Sequence, residues 1–190
     1  MAEELDRATL QRCRRGDAAA FRVLVERYQD RVFALCVALA GSDGEDVAQE
    51  TFVRVHGAVG RFDPAGAATL GAWISTIARR LCTDRARYRR RRPTVALDVV
   101  PLGDGAPGAD AQVERAQATR ALRRAIGELP EEQRAVVALQ LWDELDYEEI
   151  AAVERVPVGT VRSRLARAKE ALKRALGVAD EERHGTVDAK

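Results

Sequence analysis

The sequence predicts an all-α protein of two small helical domains joined by a flexible linker. Three observations carry that expectation. Apolar residues recur at helical spacing in several separate stretches. No strand period is sustained anywhere, with only short β-branched pieces near the middle. Residues 93 to 113, "PTVALDVVPLGDGAPGADAQV", mix prolines, glycines and acids without a period. At 190 residues the chain has room for one large domain or two small ones. Apolar and charged fractions of 46% and 32% suit a folded chain, and an aromatic fraction of 5% points to cores of Ala, Val and Leu.

The first long helix is expected from Asp17 to Leu39, with Phe21, Leu24, Val25, Tyr28, Val32, Leu35, Cys36 and Leu39 on one stripe. Asp17 is suited to cap its N-terminus and Gly41 to stop it. A second helix starts near "SDGED" and runs through "VAQETFVRVHGAV". It buries Val47, Thr51, Val55 and Phe52 or Val59, which leaves Asp46, Gln49, Glu50 and Arg54 outward. "GRFDPAGAATLG" reads as a loop.

Helical spacing resumes at Leu70, Trp73, Ile74, Ile77, Leu81 and Tyr88, so the stretch "ARRLCTDRARYRRRRP" forms the latter part of a helix. Its eight arginines face one acid, Asp84. On the helical wheel Thr76, Arg79, Thr83, Arg87 and Arg90 fall opposite the apolar stripe, so one face packs and the other is cationic.

Beyond the linker a helix is expected over roughly 111 to 127. The next begins at "PEEQRAVVALQLW", with Pro130 near the first helical position and two acids in the first turn. "DYEEIAAV" opens with Asp146 three residues before Glu149, a capping-box pattern. After the interruption "ERVP", a longer helix carries Val161, Leu165, Ala168 and Leu172 on one side and Thr160, Ser163, Arg167 and Arg174 on the other. Two short helices with a tight turn, the second basic, predict a helix-turn-helix.

A formal net charge of +1 says nothing about partners, whereas the clustering of arginine does. Cys13, Cys36 and Cys82 are odd in number and never spaced as C-x-x-C, so neither a disulfide framework nor a zinc site is expected. His56 and His184 read as surface residues. The N-terminal "MAEELDRATL" lacks the basic and apolar regions of a secretory signal. No apolar run reaches the roughly 20 residues that span a bilayer, so a soluble, cytoplasmic protein without membrane insertion is expected.

No phosphate-binding glycine loop, metalloprotease motif or nucleophile setting occurs, and the acid pairs Glu131–Glu132 and Glu148–Glu149 sit where helix N-termini favour negative charge. The chain therefore reads as no enzyme, with no cofactor, metal or nucleotide. Guanidinium groups along a helix can instead meet phosphates, and small residues such as Thr160 and Ser163 allow close approach to a groove.

The order "GEDVAQETFVRVH", "RF" and a loop, "AWISTIARRLCTDRARYRRRR", a linker, then "LPEEQRAVVALQLWDELDYEEIAAVERVPVGTVRSRLARAKEAL" resembles bacterial RNA polymerase sigma factors of the extracytoplasmic-function (ECF) type in the sigma-70 family. The likeness covers about residues 16 to 175. The first block is similar to sigma region 2, a helical bundle, and the second to sigma region 4, a helix-turn-helix. The length leaves no room for the extra N-terminal region and middle domain of housekeeping sigmas. The domains are then expected at 1–92 and 113–177, with a linker over 93–112 and a tail over 178–190.

The resemblance implies a function: binding core RNA polymerase, recognising the minus-ten and minus-thirty-five promoter elements, and melting the minus-ten region. The family's D-x-x-Q-E pattern matches Asp46, Gln49 and Glu50, which with Val53 implies a surface for the β′ clamp helices; the β flap is the second polymerase contact implied. Minus-ten capture is implied for the loop Phe62–Gly71 and the helix after it, with Thr76, Arg79, Arg80, Thr83, Arg87 and Arg90 as strand contacts and Trp73 in the core. The minus-thirty-five element would meet Thr160, Arg162, Ser163, Arg164 and Arg167. An anti-sigma factor is a further partner the family implies.

Two positions depart from the family pattern. Arg80 stands where many relatives have an Asn that helps define the flipped-base pocket. Arg155 stands where the turn usually has Gly, asking a non-Gly residue for positive φ at about 1 kcal/mol. The same residues also admit a helix-turn-helix regulator acting without polymerase, or a protein-interaction adaptor whose arginines bind acidic partners.

Overall fold

The computed structural model describes residues 4–91, 110–142 and 144–177, with 110–116 described by backbone alone. Helices α1 (Arg7–Arg14), α2 (Ala18–Ala40), α3 (Gly44–Ala58) and α4 (Leu70–Arg91) form the first half. Helices α5 (Asp110–Glu128), α6 (Glu131–Leu141), α7 (Tyr147–Glu154) and α8 (Val158–Leu176) form the second. No strand occurs among the described residues. Helix α5 takes up the last three positions of the expected linker. Residues 93–109 of that linker and the tail 178–190 lie outside the described residues.

Helix α1 was not expected. It is short and buries only Leu10 and Cys13, too few for a period to register, and its start is set by Asp6 accepting from the Thr9 amide at 2.9 Å. Asp17 caps α2 as expected, accepting from the Ala19 and Ala20 amides at 2.9 and 3.0 Å. It also accepts from Arg12 at 2.8 Å, which ties the end of α1 to the start of α2. The Ala20 amide and the Arg12 guanidinium hold the Asp17 carboxyl below the usual carboxylate range. Gly41 ends α2 at φ +62°, a conformation open to glycine at little cost.

The first core is built by α2 lying against α3 and α4. Leu24, Tyr28, Val32, Leu35 and Cys36 are buried, while Phe21, Val25 and Leu39 form the half-buried margin of the same stripe. From α3, Val47, Thr51 and Val55 are buried, with Val59 just beyond it; Phe52 is half-buried against the cluster. The buried Thr51 hydroxyl is satisfied by donating to the Val47 carbonyl at 2.7 Å.

Helix α4 corrects the expected stripe. Its buried line is Leu70, Ile74, Ala78 and Cys82, and Tyr88 is 54% exposed. Small side chains at Ala78 and Cys82 let α4 settle on α2, and a three-residue step from Cys82 followed by a four-residue step leads to Arg85 and Arg89 instead of Tyr88. Arg89 donates to the Ala40 carbonyl at 3.0 Å, and Arg85 and Arg89 lie 3.8 and 3.9 Å from Asp43. Two of the arginines therefore fasten α4 to the end of α2.

In the second half Pro130 occupies the N-cap of α6, one position before that expected, because its ψ of 143° is extended. The capping box at α7 is complete: the Glu149 amide donates to Asp146 at 2.8 Å and the Asp146 amide to Glu149 at 3.1 Å. Arg155 takes φ +57° and ψ +46° in the turn before α8. Val161 and Ala168 are buried from α8, and Leu165 and Leu172 pack at the margin. One apolar cluster continues from α1–α4 into Val136, Ala138, Leu139, Ile150 and Val161. The halves thus share a core in this arrangement.

Candidate polymerase and promoter surfaces

Asp46, Gln49, Glu50 and Val53 follow the i, i+3, i+4, i+7 spacing, so α3 presents all four along one face. Asp46 and Gln49 are exposed, and Glu50 accepts from Arg54 at 2.9 Å on the surface. Val53 is 69% exposed beside these polar groups. The opposite face carries the buried Val47, Thr51 and Val55, which fixes the outward one. An acidic strip with an uncovered apolar residue is suited to a partner offering basic side chains and a small apolar contact.

Thr76, Arg79, Arg80, Thr83, Arg87 and Arg90 also share a face, on α4, but their surroundings divide them. Arg80 and Arg87 are exposed; Arg87 lies 3.9 Å from Asp84, a surface pair of small energetic consequence. Arg79 is not on a solvated cationic face as the wheel suggested: its side chain is 13% exposed because α7 covers it. Its Nε donates to Glu154 Oε1 at 2.6 Å, its Nη1 lies 3.5 Å from Glu131, and it donates to Thr83 Oγ1. Burial opposes the charge on Arg79, but the hydrogen bond and charge of Glu154 outweigh it and hold its pKa above the ordinary arginine value. Arg90 donates to Glu131 at 3.2 Å.

Trp73 is half-buried, its ring tilted against Phe62 at 5.2 Å between centroids, as a core residue should be. The loop before it contributes Thr69, which caps α4 by accepting from the Ala72 amide at 3.2 Å and donates to Glu149 of α7.

The five residues singled out on α8 fall into two groups. Thr160, Ser163, Arg164 and Arg167 share one face. Arg162 lies round the helix, its guanidinium 5.9 Å from the Tyr147 ring centre. Arg167 is exposed, whereas Arg164 is 15% exposed and donates to Glu132 at 2.6 Å, with Glu154 at 3.9 Å. The acids expected to favour the start of α6 lie in its first turn, and their carboxylates also reach arginines of α4 and α8.

Sequence reading missed the roles of Glu131, Glu132 and Glu154, because contacts between residues tens of positions apart leave no local spacing. It also missed a groove of about 570 Å³ between α6 and α8, lined by Val137, Leu141, Leu165, Leu172, Leu176 and Lys173 among others. Leu141 and Leu176 are 53% and 36% exposed there. His56 is exposed, its ring edge-on to Phe21 at 4.7 Å; His184 lies outside the described residues. Among the described residues no group of His, Cys, Asp and Glu could hold a metal ion, and no helix is long and apolar enough to cross a membrane.

A helical bundle with an outward acidic strip, followed by a basic helix-turn-helix, is the architecture of a sigma factor, and comparison supports that class. The family described as Sigma-70 region 2 matches residues 24–92, and Sigma-70, region 4 matches residues 119–172. The chain is 35% identical over 187 residues to the RNA polymerase sigma-H factor of Pseudomonas aeruginosa, covering 93% of this chain and 96% of the relative. It is 31% identical over 188 residues to the ECF RNA polymerase sigma factor SigW of Bacillus subtilis, covering 92% and 98%. Identity to the ECF RNA polymerase sigma-E factor of Escherichia coli is 36% over 183 residues, covering 90% and 95%.

Among solved structures, CnrH in complex with the cytosolic domain of CnrY aligns with a TM-score of 0.66 at 26% identity, over 90% of this chain and 97% of that one. The fold is also that of the sigma factor RpoE of Bartonella quintana, solved with the anti-sigma factor NepR, with a TM-score of 0.68 at 24% identity over 83% and 97%. The chain belongs to the ECF group of the sigma-70 family of RNA polymerase sigma factors.

Proposed function

We propose that the chain directs core RNA polymerase to promoters by three surfaces. Asp46, Gln49, Glu50 and Val53 dock on the β′ clamp helices. The α4 face of Thr76, Arg79, Arg80, Thr83, Arg87 and Arg90 meets the separated minus-ten strand. Thr160, Ser163 and Arg167 approach the minus-thirty-five element in the major groove. Arg164, on the same face, is held by Glu132, and Arg162 lies round the helix beside Tyr147. The observation that carries the reading is Val53, an apolar residue left uncovered in a strip of acids on a helix whose other face is fully buried.

The groove of Leu141 and Leu176 suits the β flap as a second apolar contact on polymerase. Two moderate contacts on one partner raise effective concentration, so each can be weak and the factor can still leave after initiation. The chain itself performs no catalysis; the polymerase does. It acts in the cytoplasm, where polymerase and promoter are. An anti-sigma factor is a further partner; the structural neighbour CnrH is solved in complex with the cytosolic domain of CnrY.

Transcription with purified core polymerase on a genomic promoter library tests this reading. Defined transcripts that need this protein are expected, together with a shared pair of upstream elements. Transcription by core enzyme that does not change when the protein is added overturns it.

A further inference from the structure

Arginines differ in their company along this chain. On α4, Arg79, Arg85, Arg87, Arg89 and Arg90 each face a carboxylate. Where α1 ends, Arg14 and Arg15 are exposed, as is Arg61 in the short 3-10 turn Val59–Arg61 that follows α3, and none of the three pairs with an acid among the described residues. Leu10, Cys13 and Val59, buried in the first core, hold these two elements together. They approach so closely that a Cβ on Gly60 would lie 3.4 Å from the Arg14 carbonyl oxygen. An open concavity of about 320 Å³ lies there, lined by Gln11, Arg14, Arg15 and Gly60.

We propose that Arg14, Arg15 and Arg61, with Gln11, form a further nucleic-acid site that takes backbone phosphates of the promoter strand just beyond the bases held by the loop Phe62–Gly71. The proposal rests on the reading of that loop and the α4 face as the minus-ten contact.

The dipole of α1 favours a cation in its last turn, but it cannot account for Arg61, which belongs to another element. Nor do the nearby acids neutralise the site. Asp17 is held by Arg12 and by the first amides of α2, and Asp63 accepts from the Ala65 amide at 3.0 Å within its own loop. Position ties the site to the strand. Arg61 is the residue before Phe62, whose ring lies 5.2 Å from that of Trp73 in the first turn of α4. A strand leaving the α4 face past the start of that helix therefore meets the concavity next. Guanidinium groups offer phosphate a fork of N–H donors, and an open surface suits a polymer passing across it. None of the lining residues is aromatic, so bases have no platform to stack on and the contact carries no sequence information.

The test uses holoenzyme assembled from core polymerase and the full chain, on a promoter drawn from the library transcription. Fluorescence anisotropy compares two labelled single strands, one ending at the last base of the minus-ten element and one extended by about six nucleotides of mixed sequence. The combined variant Arg14→Ala, Arg15→Ala is expected to bind the extended strand about tenfold more weakly than wild type, and Arg61→Ala about threefold. Both should bind the short strand within about twofold of wild type, and the salt slope for the extended strand should fall by about 0.7 per arginine removed. Arg14→Lys with Arg15→Lys should keep most of the affinity, because the contact is with charge. These side chains are exposed, so helix content should be unchanged in every variant.

Wild-type affinity of the alanine variants for the extended strand overturns the site. An equal loss on both strands overturns it as well, since the arginines would then act on polymerase or on the minus-ten bases. Arg87→Ala tests the α4 reading separately, because it should weaken both strands alike. Wild-type binding of both strands by that variant removes the α4 reading, whatever the α1 variants do.

Discussion

Arg164 on α8 donates a 2.6 Å hydrogen bond to Glu132 on α6, so an arginine of the recognition helix is spent on holding that helix to its own domain. Arg167, one turn on, is exposed. The two should separate in experiment. Arg164→Ala removes a largely buried side chain beside Glu154 and is expected to cost about 1–2 kcal/mol in urea unfolding. Arg167→Ala should leave stability within about 0.5 kcal/mol, yet lower transcription from the cognate promoter and reduce the salt slope of DNA binding by about 1. Equal stability of the two variants would sink the distinction.

Asp46→Arg reverses charge at the start of the acidic strip on α3 without touching a buried group. Association with core polymerase is expected to weaken at least about tenfold, because a basic partner surface then faces a like charge. Val53→Glu should weaken it too, by placing a charge at the apolar contact. A binding titration with purified core enzyme checks both, and wild-type affinity for both would exclude this face of α3.

Local chemistry carried much of this from the sequence. The Asp17 cap, the Gly41 stop and the Asp146–Glu149 capping box follow from residue type at a short spacing, the positive φ of Arg155 is implied by the family resemblance, and each is found. Helical spacing located α2, α3 and α8 with their buried sides. The rest failed where partners are distant in sequence. Tyr88 was placed inward by periodicity, yet Arg89 took that line because the Ala40 carbonyl and Asp43 offer it partners. Arg79 was placed in water, and only the packing of α7 on α4 shows it meeting Glu154, 75 residues away. A wheel ranks the faces of one helix, but it carries no information on what arrives from another.

Gly44 opens α3 where it crosses α2, and a Cβ there would lie 2.5 Å from Val37 Cα. Backbone cannot move aside as a flexible side chain can. Gly44→Ala is therefore expected to destabilise the protein by about 1–3 kcal/mol despite the better helix propensity of alanine. Gly57, in the last turn of the same helix, has open space at its Cβ position, so Gly57→Ala should stabilise by about 0.5–1 kcal/mol. Urea midpoints of the two variants should move in opposite directions, and a shared direction would refute the close α2–α3 crossing.

Arg155 sits at φ +57° between α7 and α8, in the left-handed region that costs a side-chain-bearing residue about 1–2 kcal/mol. Arg155→Gly removes that penalty and adds about 0.4–1 kcal/mol of chain entropy to the unfolded state, so the net expectation is a gain of about 0.5–1 kcal/mol. Arg155→Ala keeps the penalty and serves as the control. The turn closes through backbone, with the Val156 amide donating to the Ala151 carbonyl at 3.1 Å, so glycine leaves the angle between α7 and α8 in place. Transcription should therefore match wild type while the unfolding midpoint rises. A midpoint that falls with glycine would mean that the Arg155 side chain contributes more through its surface contacts than the left-handed turn costs.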